Sequence, residues 1–340
     1  MKPSLYKESG VDIQKADQLV SWLRKKEKED ELASGSSVVS GIGGFAALFR
    51  PDLSGLVDPV LVSSTDGVGT KVLLALEWDS LKSIGRDLVG MCVNDLYTVG
   101  GKPLFFLDYY ATGVLLEGQF SQVLSGIKEG LRQCDTALLG GETAELPGLY
   151  KKGHFDLAGF VVGIVDGQKI LKPDLVKSGD SLVGLSSSGF HSNGFSLIRA
   201  WIEGQPVAEE LKAKILAPTH IYSEIPSLLK MCGDSIHGIA HITGGGLPGN
   251  VCRFLTNSLN AYIDLKKIPT PTWMREFILT HTPSLLDVVD VFNLGIGMVL
   301  AVNSTNLDMV LQSALELGLE PYEIGCVREC NGEGKEVFID

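Results

Sequence analysis

The sequence predicts an α/β protein of the α+β type built of two domains with a cleft between them, on three observations. Strand-like and helix-like segments alternate twice, over residues 41–165 and again from residue 181 onward. Between these runs stand Asp166, Gly167 and Gln168, then Lys172, Pro173 and Asp174, which read as a turn and an approximate boundary. The length of 340 residues, 44% of them hydrophobic and 21% charged, suffices for two cores. The expected organisation is a mobile N-terminal segment over 1–40, an N-terminal domain over 41–167 and a C-terminal α/β domain over 168–340.

Taken in order, residues 13–32 are charged and helical in pattern, and residues 33–37 are a flexible stretch leading to Gly41, Ile42, Gly43 and Gly44. The apolar run at 59–62 reads as a buried strand that delivers a polar loop, residues 63–71. Residues 83–99 form a helix stopped by Gly100, Gly101 and Pro103. Residues 104–110 read as a strand, 138–148 as a second strand that breaks into a polar loop, and 155–165 as the strand that closes the first domain. The second half opens with a strand at 181–185 and a helix over 195–202, and its other clear strands are 259–263 and 297–302. No internal repeat or heptad pattern is present.

The net charge of −12 argues against a nucleic-acid or anionic-membrane surface, although helix N-termini and a few lysines can still hold a phosphorylated ligand. The apolar stretches are too short to span a membrane, and residues 1–8 lack the apolar core of a signal peptide. Six scattered cysteines, with only Cys326 and Cys330 close together, point to reduced core residues of a cytoplasmic protein rather than a zinc site.

Five segments carry the main candidates for chemistry. In residues 63–71, Gly67 and Gly69 let backbone N–H groups approach a phosphate, Thr70 and Lys71 follow, and Asp66 can hold Mg2+. A tight Asp-Gly turn closing a hairpin is the plainer alternative. On the helix at 83–99, Ile84, Leu88, Met91, Cys92, Leu96 and Val99 form an apolar stripe from which Asp95 projects, beside Asn94. A carboxylate there must be paired, hydrogen-bonded or bound to metal, so a core salt bridge and a nucleotide site both remain open. Gly140, Gly141 and Glu142 repeat the strand-to-loop design, with a capping or turn role as the alternative for Glu142, and Asp108 interrupts an apolar strand as a weaker candidate.

In the second half, Ser188, His191, Ser192 and Asn193 lead into the helix at 195–202, where hydroxyls and glycines suit an anion and simple N-capping by Ser192 or Asn193 is the alternative. His241 precedes Thr243, Gly244, Gly245 and Gly246, with Pro248 suited to a first helical turn. A lone histidine is more often structural, but the open backbone here suits a proton-transfer group.

These segments together resemble the aminoimidazole ribonucleotide synthetase family of purine synthesis. The matching stretches are residues 6–13, 65–71, 91–96, 105–113, 140–145, 191–194 and 241–246, spread over essentially the whole chain. The resemblance implies an N-terminal ATP-binding sheet domain that pairs across a homodimer, and a C-terminal α/β sandwich domain with a mixed sheet. It implies ATP and Mg2+, and ring closure of formylglycinamidine ribonucleotide by phosphorylation of its formyl amide oxygen. By motif position, Asp66, Asp95 and Glu142 would handle Mg2+ and the triphosphate, with Lys71 neutralising charge and Gly67, Gly69, Thr70, Asn94, Gly140 and Gly141 lining the nucleotide. His241 would transfer a proton or stabilise phosphate, and Ser188, His191, Ser192, Asn193, Thr243, Gly244 and Gly245 would contact substrate.

The chain departs from the family pattern at three places. Asp290 stands where arginine is frequent, residues 36–40 replace a basic, proline-containing stretch, and the family's N-terminal lysine falls near Arg24, Lys25 or Lys26. A selenide enzyme of the superfamily would carry an early reactive cysteine, but the first here is Cys92. A hydrogenase-maturation enzyme would end in a cysteine-bearing tail, but this chain ends with residues 336–340 of another kind. The remaining alternative is a catalytically silent or re-purposed ATP-binding homologue.

Overall fold

The computed structural model describes residues 36–40, 44–330 and 334–340. The helical pattern at 13–32, most of the segment expected to be mobile, the candidates Arg24, Lys25 and Lys26 and the start of the glycine-rich loop lie outside them. The chain divides into two compact units. One runs to Val93 and resumes over Lys102–Gly167; the other comprises Asn94–Gly101 and Gln168–Asp340.

In the first unit, strands β1 (Ser37–Ser40) and β2 (Leu48–Arg50) form an antiparallel ribbon. They are followed by β3 (Pro59–Gly67), α1 (Lys71–Glu77), α2 (Leu81–Tyr97), β4 (Lys102–Thr112), α3 (Glu117–Gln133), β5 (Ala137–Glu145) and β6 (Phe155–Asp166). Among the described residues the sheet order is β3-β6-β4-β5, antiparallel except for β4 and β5, which are joined through α3. Pro59, Leu61, Ser63 and Thr65 of β3 are exposed and the residues between them half-buried, so the sheet has one covered and one open face.

The covered face packs on α2 through Gly159 of β6, where a Cβ would run into Phe106, Cys92 and Leu88. Helices α2 and α3 approach backbone to backbone: a Cβ at Gly85 would strike the Val123 carbonyl and one at Gly126 the Lys82 carbonyl. The stripe expected on α2 is buried from Ile84 to Leu96, and so are Val89 and Val93 on its flanks, so burial extends well round the helix.

The second unit contains β7 (Ser181–Ser186), α4 (Phe195–Ile202), α5 (Glu209–Ile215), α6 (Ile225–Cys232), β8 (Ile236–His241), α7 (Gly246–Val251), β9 (Leu259–Ile263), α8 (Thr272–His281), β10 (Ile296–Val302), α9 (Leu307–Glu316), β11 (Pro321–Glu329) and β12 (Val337–Ile339). Among the described residues these strands form a mixed sheet in the order β12-β9-β11-β7-β10-β8, with β12 parallel to β9. Strand β10, flanked by β7 and β8, is buried along its whole length, which explains its uninterrupted apolar composition.

Two loops expected from the sequence are shorter than their composition suggests. Strand β3 continues through Asp66 and Gly67 because these pair with Gly159 and Ala158 of β6, leaving only residues 68–70 before α1. Strand β5 continues through Gly140, Gly141 and Glu142 to Glu145 because β4 runs alongside. Ladder pairing outweighs the turn preference of glycine and acidic residues. Among the described residues no helix is long and apolar enough to cross a membrane, and no disulfide forms.

Candidate active site

In the first unit, Asp66 lies at the end of β3, half-buried, and its Oδ1 accepts a 2.7 Å hydrogen bond from the Gly67 N–H. Gly69 has φ +56°, the left-handed region that glycine enters without strain, and it is exposed together with Thr70. Lys71 opens α1 with its side chain turned inward. Its Nζ meets Asp87 of α2 at 2.8 Å with both side chains 0% exposed. Burial pulls the Lys71 ammonium below its ordinary range, and the Asp87 charge opposes that shift.

Register places Asp66, Gly159, Asp108 and Gly141 in one row across the four strands, with Gly67, Ala158, Tyr109 and Glu142 in the next. Asp108 occupies the space above Gly141, where a Cβ would run into its carboxyl group and carbonyl. Burial pushes the Asp108 carboxyl up to about 7. Glu142 and Gly141 are exposed.

In the second unit, Asp95 sits in the last turn of α2, and its Oδ1 lies 2.9 Å from His241 Nδ1 at the end of β8. The His241 side chain is 1% exposed and that of Asp95 40%. Asp95 is therefore paired, as a carboxylate on an apolar stripe requires, and yet open to solvent. Asn94 is fully buried: its amide nitrogen donates to the His220 carbonyl at 2.8 Å and lies 3.4 Å from His241 Nε2, while its oxygen accepts from the Tyr222 N–H at 3.0 Å. This network assigns the His241 proton to Nδ1, facing Asp95, and leaves Nε2 as the acceptor.

The segment over 218–222 ties the site loops together. His191 is fully buried in the left-handed region at φ +57°, and its Nε2 accepts from the backbone N–H of Ser188 at 3.3 Å and of His220 at 3.4 Å. The Ser188 hydroxyl donates to the Pro218 carbonyl at 2.6 Å, and Ser192 meets Thr219 at 3.3 Å. Capping of α4 by Ser192 or Asn193 does not occur. Its N-cap is Gly194, left-handed at φ +74°, where a Cβ would strike Phe292. The Asn193 amide nitrogen is buried with no hydrogen-bond partner among the described residues, and its oxygen is the nearest group to a Cβ at Gly244, at 3.8 Å.

The glycine triplet is partly a packing requirement. Gly246 is the first residue of α7, not part of a loop before it, and a Cβ there would collide with the Val289 carbonyl and with the backbone of Asp290. The position of the family's arginine therefore lies beside this turn, where Asp290 is exposed. Asp287 has a structural role in a capping box with Ser284. Asn250 pins the turn, donating to the Gly246 carbonyl at 2.8 Å and accepting from Thr243 Oγ1 at 3.2 Å. Gly244 and Gly245 remain exposed.

Sequence reasoning missed His220, Tyr222 and Asn250. The first two stand in the mixed polar and apolar stretch from Pro218 to Tyr222, which carries no motif, and Asn250 lies between Leu247 and Val251 on a short helix. Among the described residues no group of three or more His, Cys, Asp or Glu is placed to hold a metal by itself.

Comparison with known proteins decides the family. The N-terminal-domain model of AIR synthase related proteins matches residues 51–165, and the C-terminal-domain model matches 177–337. The chain is 46% identical over 332 residues to the phosphoribosylformylglycinamidine cyclo-ligase of Finegoldia magna, covering 95% of this chain and 96% of that one. The chain belongs to the AIR synthase family. Its fold is shared with the E. coli hydrogenase maturation protein HypE, at a TM-score of 0.68 and 18% identity over 95% of this chain and 94% of that one. A HypE structure in complex with ATP matches at a TM-score of 0.63 and 16% identity, over 86% of this chain and 85% of that one. Within the AIR synthase family the departure at Asp290 falls beside the Gly246 turn, and the carboxylates at Asp66, Asp95 and Glu142 are all present.

Proposed function

We propose that this chain is an ATP-dependent cyclo-ligase that converts formylglycinamidine ribonucleotide to 5-aminoimidazole ribonucleotide, with release of ADP and phosphate, in purine biosynthesis. The observation that carries this reading is the 46% identity to a curated cyclo-ligase along 95% of the chain. An amide oxygen is a poor leaving group. Transfer of the γ-phosphoryl group to the formyl amide oxygen, with loss of the amide proton, gives an iminophosphate. An amidine-side nitrogen then attacks the same carbon, the ring C–N bond forms, the C–O bond breaks and phosphate leaves.

In this reading residues 41–167 form the ATP-binding domain and 168–340 the C-terminal domain. Gly67, Gly69, Thr70, Gly140 and Gly141 give the nucleotide a close backbone approach. Asp66, Asp95 and Glu142 would hold Mg2+. They are all oxygen donors, half-buried, 40% exposed and exposed respectively, and oxygen donors of this kind suit Mg2+, which completes its shell with phosphates and water. Bound there, Mg2+ neutralises charge on the transferring phosphoryl group. Lys71, sealed against Asp87, contributes by fixing the start of α1 behind the phosphate loop. Asn94 and His191 hold the framework from within, while Ser188, Ser192, Asn193, Thr243, Gly244 and Gly245 present hydroxyl, amide and backbone groups to the substrate.

A homodimer in the cytoplasm completes the reading. It is supported by the open face of the first unit's sheet, where Leu61 is 69% and Phe160 43% exposed, since a face of this kind seeks a partner. The test is ADP release by purified protein with Mg2+ and ATP, with and without formylglycinamidine ribonucleotide. Substrate-dependent ADP matched one-to-one by the imidazole product is expected. ATP binding without turnover would instead favour a silent homologue.

A further inference from the structure

In place of the proton-transfer role that the sequence suggests for His241, we infer that His241 is a positioning residue that acts through Asp95, and that Asp95 is the member of the pair that meets the bound Mg2+–nucleotide. The inference rests on the cyclo-ligase reading and on four contacts. His241 stands at the end of β8, which is buried along most of its length, and only 1% of its side chain is exposed. Its Nδ1 lies 2.9 Å from Asp95 Oδ1, while 40% of the Asp95 side chain reaches solvent. Its other nitrogen faces Asn94, 3.4 Å away. Asn94 is in turn fixed by the His220 carbonyl at 2.8 Å and the Tyr222 N–H at 3.0 Å.

Both edges of the imidazole are thus occupied by protein, and neither is presented to a substrate. A general acid or base must come within hydrogen-bond reach of the proton it moves. A buried ring that donates to a solvent-facing carboxylate instead has the geometry of an outer-shell partner, which sets the rotamer of a ligand. Asn94 fixes the ring orientation and tautomer, and the ring in turn fixes Asp95 Oδ1, while 40% of the Asp95 side chain reaches solvent.

The variants His241→Asn and His241→Ala separate the two roles. Asparagine places an amide donor near the position of Nδ1 but has no titrating proton; alanine removes the donor. Each is measured for kcat and KM against pH and Mg2+, and for Mg2+-dependent binding of a non-hydrolysable ATP analogue by calorimetry. The positioning role predicts that His241→Asn keeps kcat within about tenfold, with the wild-type pH profile. It also predicts that His241→Ala weakens Mg2+-dependent binding about 10- to 100-fold and is rescued by excess Mg2+. Loss of about 10²- to 10⁴-fold in kcat with one limb of the pH profile in His241→Asn, at unchanged binding, would overturn the inference. So would wild-type binding in both variants. If His241→Ala does not fold, the pH profile of His241→Asn decides alone. A wild-type protein without turnover would count against the cyclo-ligase reading, and the binding measurements would still test the pair.

Discussion

Two carboxylates, one in each unit, are held by a side-chain nitrogen at nearly the same distance but in opposite surroundings. Lys71 and Asp87 meet at 2.8 Å with both side chains 0% exposed. His241 and Asp95 meet at 2.9 Å with 1% and 40% exposed. The first pair is fully buried, and its opposite charges meet inside the fold. The second has a buried half and an exposed half. Contact length is nearly the same in both, and the pairs differ in the exposure of the carboxylate.

The comparison breaks most visibly at Asp87. Asp87→Ala removes the charge partner of a buried ammonium and is expected to cost about 3–5 kcal/mol in denaturant unfolding. The double variant Lys71→Met with Asp87→Leu should recover most of that loss. A cost below about 1 kcal/mol would mean that Lys71 opens to solvent and is free to reach phosphate. Asp95→Asn should behave in the reverse sense. Its stability should stay within about 1 kcal/mol of wild type, as for a half-exposed pair. ADP release should fall at least about 100-fold, as when a preorganised charge is removed from a phosphoryl-transfer site.

Asp108 sharpens the contrast as a half-buried carboxyl that lacks either arrangement. Burial raises it from 3.8 to about 7, so the folded chain holds this proton more tightly than the unfolded chain does. The wild type should therefore lose stability as pH rises from about 4 to about 7, and Asp108→Asn should abolish that part of the slope. We expect about 2 kcal/mol in thermal or urea unfolding, half of the full linkage because the carboxyl retains some exposure. A flat difference between the two proteins would mean that Asp108 is ionised in the fold. The smallest effect belongs to Asp290→Arg. Restoring the family's cation beside the Gly246 turn should lower KM for formylglycinamidine ribonucleotide by a few-fold, with kcat little changed, a gain of under about 1 kcal/mol. An unchanged KM would place the substrate phosphate elsewhere.

Much of the architecture is legible in the sequence. Leu259–Ile263 and Phe195–Ile202 have the bounds their patterns suggest, and Phe155–Asp166 extends its pattern by one residue. Period and punctuation suffice there because each element's burial is written in its own residues. The strands β3 and β5 ran on through Asp66 and Glu142 for a reason outside their own residues, the length of the partner strand. Gly246 looked like loop, yet what fixes it is the Val289 carbonyl pressed against it.

The sequence by itself determined that this is a two-part α/β chain of the aminoimidazole ribonucleotide synthetase type, and which carboxylates, glycines and histidines to inspect. Hydrophobic period and short motifs are local, so they survive without a partner. The tertiary structure decided what each of those residues faces. Asn94 meets His220 and Tyr222 across 126 and 128 residues of chain, and Asp95 meets His241 across 146. Those distant contacts grouped residues 94–101 with the second unit, Lys71 turned inward onto Asp87 of the neighbouring helix, and 40% of the Asp95 side chain stayed exposed. Side-chain exposure is set by everything that packs around a residue, and no segment encodes it alone.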